Sequence, residues 1–429
     1  MSIPVVSLIA LLVAILISCF TPLNIGTLSI GLALVIGFLG DVKATEIVKG
    51  FPSGLLILLG GTTYLFSIAQ TNGTLDKLAR YAVKSVGGRP ALLPIVLFFV
   101  AFVLSAMGPG QITTSALLAP TAMLLADQVG LSPLLMALVV GNGAQAGAMS
   151  PLAPPGIISA GILAKYNLVG VSGVLWLNML IVHVAVTVLA YLLFGGLRRW
   201  REGGALASAG AARNDAVVPF DAKQWATLGG IAALALGALL AVKFDPLKKF
   251  DIGLFAFLIG AVLSLAKCVD EPKAIKAMPW NTILMVTGVT VLVNLMSNVG
   301  GMDLFAKMIA KMSSSGTVTL VAGFWSGLVS TYASTTGVIL PAFLPMAPKL
   351  LQQLGAPAAD LLPLVSSIIV CGFVVDLSPL STTGAVFIAN AGPKANKNAL
   401  FRNMMIWGLS MSVVGALVSW VAFTLLKLP

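Results

Sequence analysis

The sequence predicts an all-α polytopic membrane protein made of two inverted repeats. Each repeat is expected to hold five transmembrane helices plus one re-entrant hairpin, with broken helices at the membrane midplane. Apolar residues make up 58% of the 429 residues and charged residues only 9%, whereas soluble domains carry roughly 25% charged residues. Apolar segments long enough to span a membrane recur along the chain. The 44 glycines and 23 prolines indicate broken helices, which membranes tolerate where the broken backbone lines a cavity.

The first repeat is assigned to residues 1–197. The opening apolar segment has no basic region before it, so we expect a first span and not a removable signal peptide. The predicted spans of this half are 3–20, 22–40, 51–70 and 171–197, with an amphipathic stretch at 71–90. Two further segments are interrupted: 92–127 by SAMGPGQITT, which predicts a hairpin, and 132–163 by SPLAPPG, which predicts a broken helix.

A polar, arginine-rich connector at 198–223 separates this half from the second repeat, residues 224–429. The spans predicted in the second half are 224–242, 252–268, 281–298 and 403–427, with a more polar stretch at 299–316. Its hairpin is predicted at 317–350 and its broken helix at 361–391.

Matching residues at nearly constant spacing predict that the halves arose by duplication. The matches at an offset of 227 are Pro52/Pro279, Gly73/Gly300, Asp76/Asp303 and Ala79/Ala306. Ser105 and Pro120 match Ser330 and Pro345 at an offset of 225, and MSPLAPPG matches LSPLSTTG at 228. An odd number of spans in each copy makes the copies antiparallel.

The distribution of charge predicts the orientation. With the connector in the cytoplasm, all seven arginines lie on the inner side, as the positive-inside rule expects. Both termini then face outward. The net charge of +11 is explained by these loops, so no nucleic-acid partner is expected. The three cysteines form no metal-binding or disulfide pattern.

Four segments are expected to meet at the membrane centre: the hairpin tips 110–120 and 335–345, and the broken turns 150–156 and 378–384. A broken helix exposes N–H groups that favour an anion and C=O groups that, with hydroxyls, suit a cation such as Na+. These segments contain no Lys or Arg. Backbone dipoles, hydroxyls, amides and bound cations must therefore hold an anionic substrate. The alternative is that Pro and Gly only kink these helices for packing.

The candidate residues fall into two overlapping sets. The substrate set is Gln111, Thr113, Ser150, Pro151, Thr335, Thr336, Ser381, Thr382 and Thr383. The cation set is Gly110, Ser150, Thr335, Gly337, Asp376 and Ser378, with Na+ as the metal and no transition metal expected.

Asp376 is the only acidic residue expected inside a span, and such residues are costly in a membrane. It could carry a proton, bind a cation or cap the broken helix, and its repeat mate is Ala148. The lone histidine, His183, is expected to hydrogen-bond a neighbouring helix, with proton relay as the alternative. Asn142 and Gln145 either reach the cavity or bond between helices.

The layout resembles the ion transporter superfamily, in particular the divalent anion symporters. Those carry a Ser-Asn-Thr tip in each hairpin, with a proline ten residues after the Ser. Here Pro120 and Pro345 have that spacing from Gly110-Gln111-Ile112 and Thr335-Thr336-Gly337. GNGAQAGAMSPLAPPGII and VVDLSPLSTTGAVFIANAG look closer to the MatC-type malonate and dicarboxylate carrier branch.

The resemblance, over about residues 20–429, implies a homodimer whose hairpin-bearing part moves like an elevator against a scaffold. It implies import of a small organic anion, a di- or tricarboxylate such as malonate or a C4-dicarboxylate, by Na+ or H+ symport. The alternative is an antiporter or exporter of the same fold, for oxyanion efflux or Na+/H+ exchange. No enzyme is expected, because HExxH and GxSxG are absent. Beyond the coupling ion no cofactor is expected. We expect a multi-pass protein located in a cell membrane, such as the bacterial inner membrane.

Overall fold

The computed structural model describes residues 2–21, 23–84, 92–195, 219–243 and 251–428, and within these ranges it contains helices and turns without a strand. The helices of the first half are α1 (Ile3–Phe20), α2 (Ile25–Leu39), α3 (Ala44–Lys49), α4 (Ser53–Thr71), α5 (Thr74–Lys84), α6 (Leu93–Ala106), α7 (Gly110–Val129), α8 (Pro133–Ala148), α9 (Pro154–Ala164) and α10 (Ser172–Leu193).

The second half contains a matching series with two π-helical turns. Its helices are α11 (Ala222–Lys243), α12 (Ile252–Leu265), α13 (Glu271–Ala277), α14 (Trp280–Asn298), α15 (Gly301–Lys311), α16 (Val318–Ser330), α17 (Leu340–Phe343), α18 (Ala347–Leu354), α19 (Leu361–Val375), α20 (Thr382–Ala389) and α21 (Lys397–Ser419). One π-helical turn, Thr335–Ile339, precedes α17, and the other, Trp420–Leu425, extends α21.

The apolar helices confirm the coarse class, a multi-pass membrane protein. Five described helical segments are long and apolar enough to cross a membrane, and shorter apolar helices accompany them. Large apolar side chains such as Phe38 and Leu265 are more than four-fifths exposed. A surface of this kind suits lipid and not water.

Helix breaks occur where Pro- and Gly-rich sequence predicts them. The segment 92–127 divides into α6 and α7, and 132–163 divides into α8 and α9. The segment 361–391 likewise divides into α19 and α20, with Asp376 at the end of α19. In each case polar and small residues free the backbone from its helical hydrogen bonds.

The structure adds short helices to the prediction, and one predicted segment lies mostly outside the described residues. The short helices α3 and α13 were not predicted, because six or seven residues carry too little periodicity to reveal a helix. The polar stretch 299–316 contains the helix α15, whose apolar side is buried at Met302, Phe305 and Ile309. Most of the predicted connector, 198–218, lies outside the described residues, and its last two residues begin α11.

Helix starts recur at the spacing found in the sequence. Helices α2, α3, α4 and α5 begin 227 residues before α12, α13, α14 and α15. The offset is 225 for the first residues of α6 and α16, and 228 for those of α8 and α19 and of α9 and α20. The two halves therefore share one order of elements.

Glycines allow helices of opposite halves to cross closely. Gly26 of α2 lies against the backbone of α14, where Gly288 faces Gly26 in turn. Gly61 of α4 and Gly253 of α12 make the corresponding contact. A side chain at any of these four positions would meet backbone atoms. Small residues are what membrane helices use for close approach.

Helices α8 and α19 lie deepest in the molecule. Every residue of α8 from Leu134 onward is buried, as is every residue of α19 from Leu364 onward. Helices α6 and α10 pack on α8, and α16 and α21 pack on α19. The broken turns at the ends of α8 and α19 are consequently held inside the protein.

Candidate functional site

The two broken turns are built alike. The Ser150 hydroxyl donates to the Ala106 carbonyl oxygen at 2.7 Å and accepts from the Leu152 N–H at 3.3 Å. The Ser378 hydroxyl donates to the Thr331 carbonyl oxygen and accepts from the Leu380 N–H at 3.3 Å. The serines thus tie their turns to the C-terminal ends of α6 and α16, which satisfies backbone groups that would otherwise be buried without partners.

A glycine closes each turn for a steric reason. A β-carbon on Gly156 would meet the Ser150 carbonyl oxygen, and one on Gly384 would meet the Ser378 carbonyl oxygen. The sequence therefore needs glycine six residues after each serine. This local requirement explains why SPLAPPG and SPLSTTG share their first three and last residues.

The two segments predicted as hairpin tips touch each other. The Gln111 amide at the start of α7 donates from Nε2 to Thr336 Oγ1 at 2.9 Å, and both residues are buried. Gly110 precedes Gln111 with a φ of +72°, a conformation that favours glycine. Gln111 and Thr336 are repeat mates, so this bond joins equivalent positions of the two halves.

The second tip is fixed to α19. Thr335 Oγ1 donates to the Gly372 carbonyl oxygen at 3.0 Å, and Ser330 Oγ donates to the same carbonyl at 2.8 Å. Gly337 donates its N–H to Ser334 Oγ at 3.1 Å. The sequence predicted Ser330 only as the repeat mate of Ser105 and not as a residue of the site. That repeat match was the one sequence signal from which a role at the site could have been inferred.

Asp376 is 3% exposed and lies where both halves meet. Its Oδ2 accepts from Gln145 Nε2 at 3.3 Å and from Thr383 Oγ1 at 3.5 Å. Its Oδ1 has no hydrogen-bond partner among the described residues. The capping role falls to Ser381, whose Oγ accepts from the Gly384 N–H at 3.1 Å. Among the described residues, the Asp376 side chain accepts no hydrogen bond from a backbone N–H of α20.

Three residues of the substrate set lie apart from this network. Pro151 and Thr382 are exposed and Thr113 is half-buried. The described hydrogen bonds do not join their side chains to the tips or to Asp376. The network instead brings together Gln111, Thr335, Thr336, Ser381, Thr383 and Asp376, with Ser150 and Ser378 in the turns.

The sequence left the hydrogen-bond partners of other buried polar side chains undecided. His183 Nδ1 lies 2.8 Å from the Met179 carbonyl oxygen of its own helix. Asn142 and Gln145 of α8 are fully buried, and their side-chain oxygens lack hydrogen-bond partners within the described residues. The sequence left open whether Gln145 bonds between helices or reaches the cavity. Its Nε2 bonds to Asp376 at the end of another helix, and its Oε1 is left without a hydrogen-bond partner among the described residues.

The N-terminal part of the chain matches the model of a known family. Residues 1–148 match the family model of the dicarboxylate carrier protein MatC N-terminus. The match ends at the last residue of α8, so it includes the first hairpin and Gln111. This agrees with the resemblance seen in the motifs.

Similar whole chains are transporters. An uncharacterized transporter of Mycobacterium tuberculosis is 24% identical over 338 residues, 76% of this chain and 74% of the relative. An uncharacterized transporter of Mycobacterium bovis is 23% identical over 325 residues, 72% of each chain. These relatives are named as transporters, and the family whose model matches residues 1–148 is one of dicarboxylate carriers and not of enzymes.

Two solved transporters share the fold. The YdaH transporter of Alcanivorax borkumensis superposes with a TM-score of 0.61 at 18% identity, covering 90% of this chain and 88% of its own. MtrF of Neisseria gonorrhoeae gives 0.57 at 16% identity, covering 91% and 84%. At these identities the likeness concerns the fold alone.

Proposed function

We propose that this chain is a secondary active transporter that imports a small organic anion, a di- or tricarboxylate such as malonate or a C4-dicarboxylate, by cation symport. The MatC match supports the substrate class, since that family is described as a dicarboxylate carrier. The matching turns at Ser150 and Ser378 support an inverted-repeat arrangement with two re-entrant hairpins. Such an arrangement is typical of secondary transporters with a site near the midplane.

We propose that the N-terminus of α20 binds a carboxylate of the substrate. This position is the main structural support for the proposed function. Thr382 is exposed at this N-terminus, and helix N-termini favour anions. The repeat mate of Thr382 is Pro154, and α9 begins with Pro154 and Pro155, which have no N–H to donate. The two half-sites are therefore unequal, and only the second offers consecutive N–H groups with hydroxyls.

Cations must accompany the substrate in this proposal. The four central segments contain no Lys or Arg to balance a dianion. Asp376 adds a further negative charge beside them when ionised. The proposal also includes Na+ or H+ as the coupling ion, a homodimer with an elevator motion, and a location in the bacterial inner membrane. These parts of the proposal rest on the family resemblance.

Transport in the opposite direction is the second candidate. MtrF is described as illuminating a class of antimetabolite efflux pumps, and a buried acid such as Asp376 suits exchange against protons. Direction is decided by which ion gradient drives accumulation. Import predicts accumulation with an inward Na+ or proton gradient, and exchange predicts accumulation with an outward one.

Uptake into proteoliposomes tests the proposal. Labelled malonate and succinate are supplied with Na+ and pH gradients imposed separately. Thr382→Pro copies the first half, and proline is compatible with the first turn of a helix. Because it removes one N–H facing a charged group, about 1.5–3 kcal/mol, we expect roughly a tenfold or larger rise in the half-saturation concentration.

Thr382→Val is the companion variant, because it removes the hydroxyl and keeps the N–H. It should raise the half-saturation concentration less than Thr382→Pro does. Normal half-saturation in both variants would place the carboxylate elsewhere. Absence of uptake of every di- and tricarboxylate by active, folded protein would contradict the proposed substrate class.

A further inference from the structure

Among the described residues, three buried carboxylate and amide oxygen atoms near the centre of the molecule have no assigned hydrogen-bond donor. They are Asn142 Oδ1, Gln145 Oε1 and Asp376 Oδ1, on side chains no more than 3% exposed. A buried acceptor left without a partner costs about 1–3 kcal/mol, and more when it is charged. Three of them together indicate that something else occupies this position in the working protein.

The three side chains belong to one neighbourhood. Gln145 Nε2 contacts Asp376 Oδ2 directly at 3.3 Å. Asn142 lies three residues before Gln145, on the same face of α8. A β-carbon on Gly141 would meet the Leu377 side chain. Helix α8 therefore contacts the segment Asp376–Leu377 at Gly141 and at Gln145, the residues on either side of Asn142 along the helix. The side-chain nitrogens are already used, since Asn142 Nδ2 donates to the Leu138 carbonyl oxygen at 2.8 Å.

We propose that Asn142, Gln145 and Asp376 form a Na+ site between the two halves. Carboxylate and amide oxygens are the donors that hard cations prefer. One Na+ can satisfy all three oxygens, whereas a proton on Asp376 supplies a single O–H donor and leaves at least one amide oxygen unpartnered. The ion also balances the buried carboxylate, near which the described residues place no Lys or Arg.

Repeat symmetry indicates one such site in each chain. The mates of Asn142 and Gln145 are Val370 and Phe373, and the mate of Asp376 is Ala148. All three mates are apolar and buried. The donors come from α8 on one side and from the end of α19 on the other, so a bound ion would link the two halves of the chain.

Na+ binding to the purified full-length protein tests this site without any substrate. Thermal unfolding is followed in NaCl and in choline chloride at equal ionic strength, with binding of radioactive Na+ measured in parallel. A ligand that binds only the folded state stabilises it by mass action. We expect Na+ to raise the Tm of the wild type, with saturable binding of at least one ion per chain.

Three variants remove individual donors. Asp376→Asn should abolish the Na+-dependent shift, and Asn142→Leu and Gln145→Leu should each weaken Na+ affinity at least tenfold. Asn178→Leu is the matched control, because Asn178 is a buried amide on α10 whose Nδ2 donates to Ser366 Oγ at 3.1 Å. It should lower Tm without changing the Na+ affinity.

Several results would overturn the site. These are a wild-type Tm that responds to pH and not to Na+, or an Na+ affinity that survives in Asp376→Asn. If a variant fails to fold, wild-type binding of radioactive Na+ with no saturable component has the same consequence. The inference deepens the proposed function but fails separately from it. Na+ binding without dicarboxylate uptake contradicts only the proposed function, and uptake without Na+ binding contradicts only the site.

Discussion

A hydrogen bond between Gln111 and Thr336 joins the two segments predicted as hairpin tips. Each is buried, so removing one partner leaves the other without its hydrogen bond. A typical bond of this kind contributes about 0.5–1.5 kcal/mol, and an unpaired buried group costs about 1–3 kcal/mol. The pair is therefore suited to a double-mutant cycle.

We expect Gln111→Leu and Thr336→Val each to lower Tm and the rate of dicarboxylate uptake. The double variant should lose less than the sum of the two, with an interaction energy of about 0.5–3 kcal/mol. Thermal unfolding of the four proteins, with uptake in proteoliposomes, measures this. Strict additivity would mean that the tips do not act on each other.

Helix crossings carry the next prediction. Gly26 and Gly253 are repeat mates, and each lies against the backbone of a helix from the other half. Gly26→Ala and Gly253→Ala should each lower the free energy of unfolding by about 1–3 kcal/mol, the usual cost of overpacking. The backbone contact leaves little freedom for a side chain to move aside. Thermal or denaturant unfolding of the purified variants gives the size.

Gly31 on α2 provides the control for this prediction. A β-carbon there would have nothing within 4 Å, and alanine is favoured over glycine in a helix interior by up to about 1 kcal/mol. Gly31→Ala should therefore be neutral or stabilising. Equal losses of stability in Gly31→Ala and Gly26→Ala would show that helix propensity or lipid contact, and not the crossing, explains the effect.

Orientation is a property of the whole molecule. The clustering of arginine in 198–223 predicts that this connector is cytoplasmic. In a chain whose three cysteines are replaced, a cysteine at residue 210 should resist an impermeant reagent added to intact cells. It should react after the cells are opened. Labelling from outside would reverse the predicted orientation.

Charge movement tests the coupling of the whole transporter. Two negative charges entering against an inside-negative potential of about 100 mV cost about 4.6 kcal/mol, at about 2.3 kcal/mol per charge. Because the central segments contain no Lys or Arg, cations should travel with the dianion. We expect uptake that depends on Na+ or pH and is not slowed when the interior becomes negative. Uptake independent of both gradients, and slowed by that potential, would contradict symport.

The chemistry of the candidate site was partly readable from sequence. Gly and Pro mark where α8, α9, α19 and α20 break, because those residues disrupt a helix through local backbone effects alone. The same local rules explain Ser150, Ser378 and the glycines that follow them. The partners of a buried side chain follow no local rule, so the sequence did not show which of the candidate hydroxyls, such as those of Thr335 and Thr383, would be buried and bonded.

The sequence alone determined the membrane class, the places where helices break and the spacing of the two halves, since apolar length, helix-breaking residues and duplication are all recorded along one chain. Only the tertiary structure decided that Gln111 meets Thr336, that Gln145 meets Asp376 and that Ser381 forms the helix cap. Gln111 and Thr336 are 225 residues apart and Gln145 and Asp376 are 231 apart. Contacts over such separations depend on how the halves pack, and helix periodicity does not encode that packing.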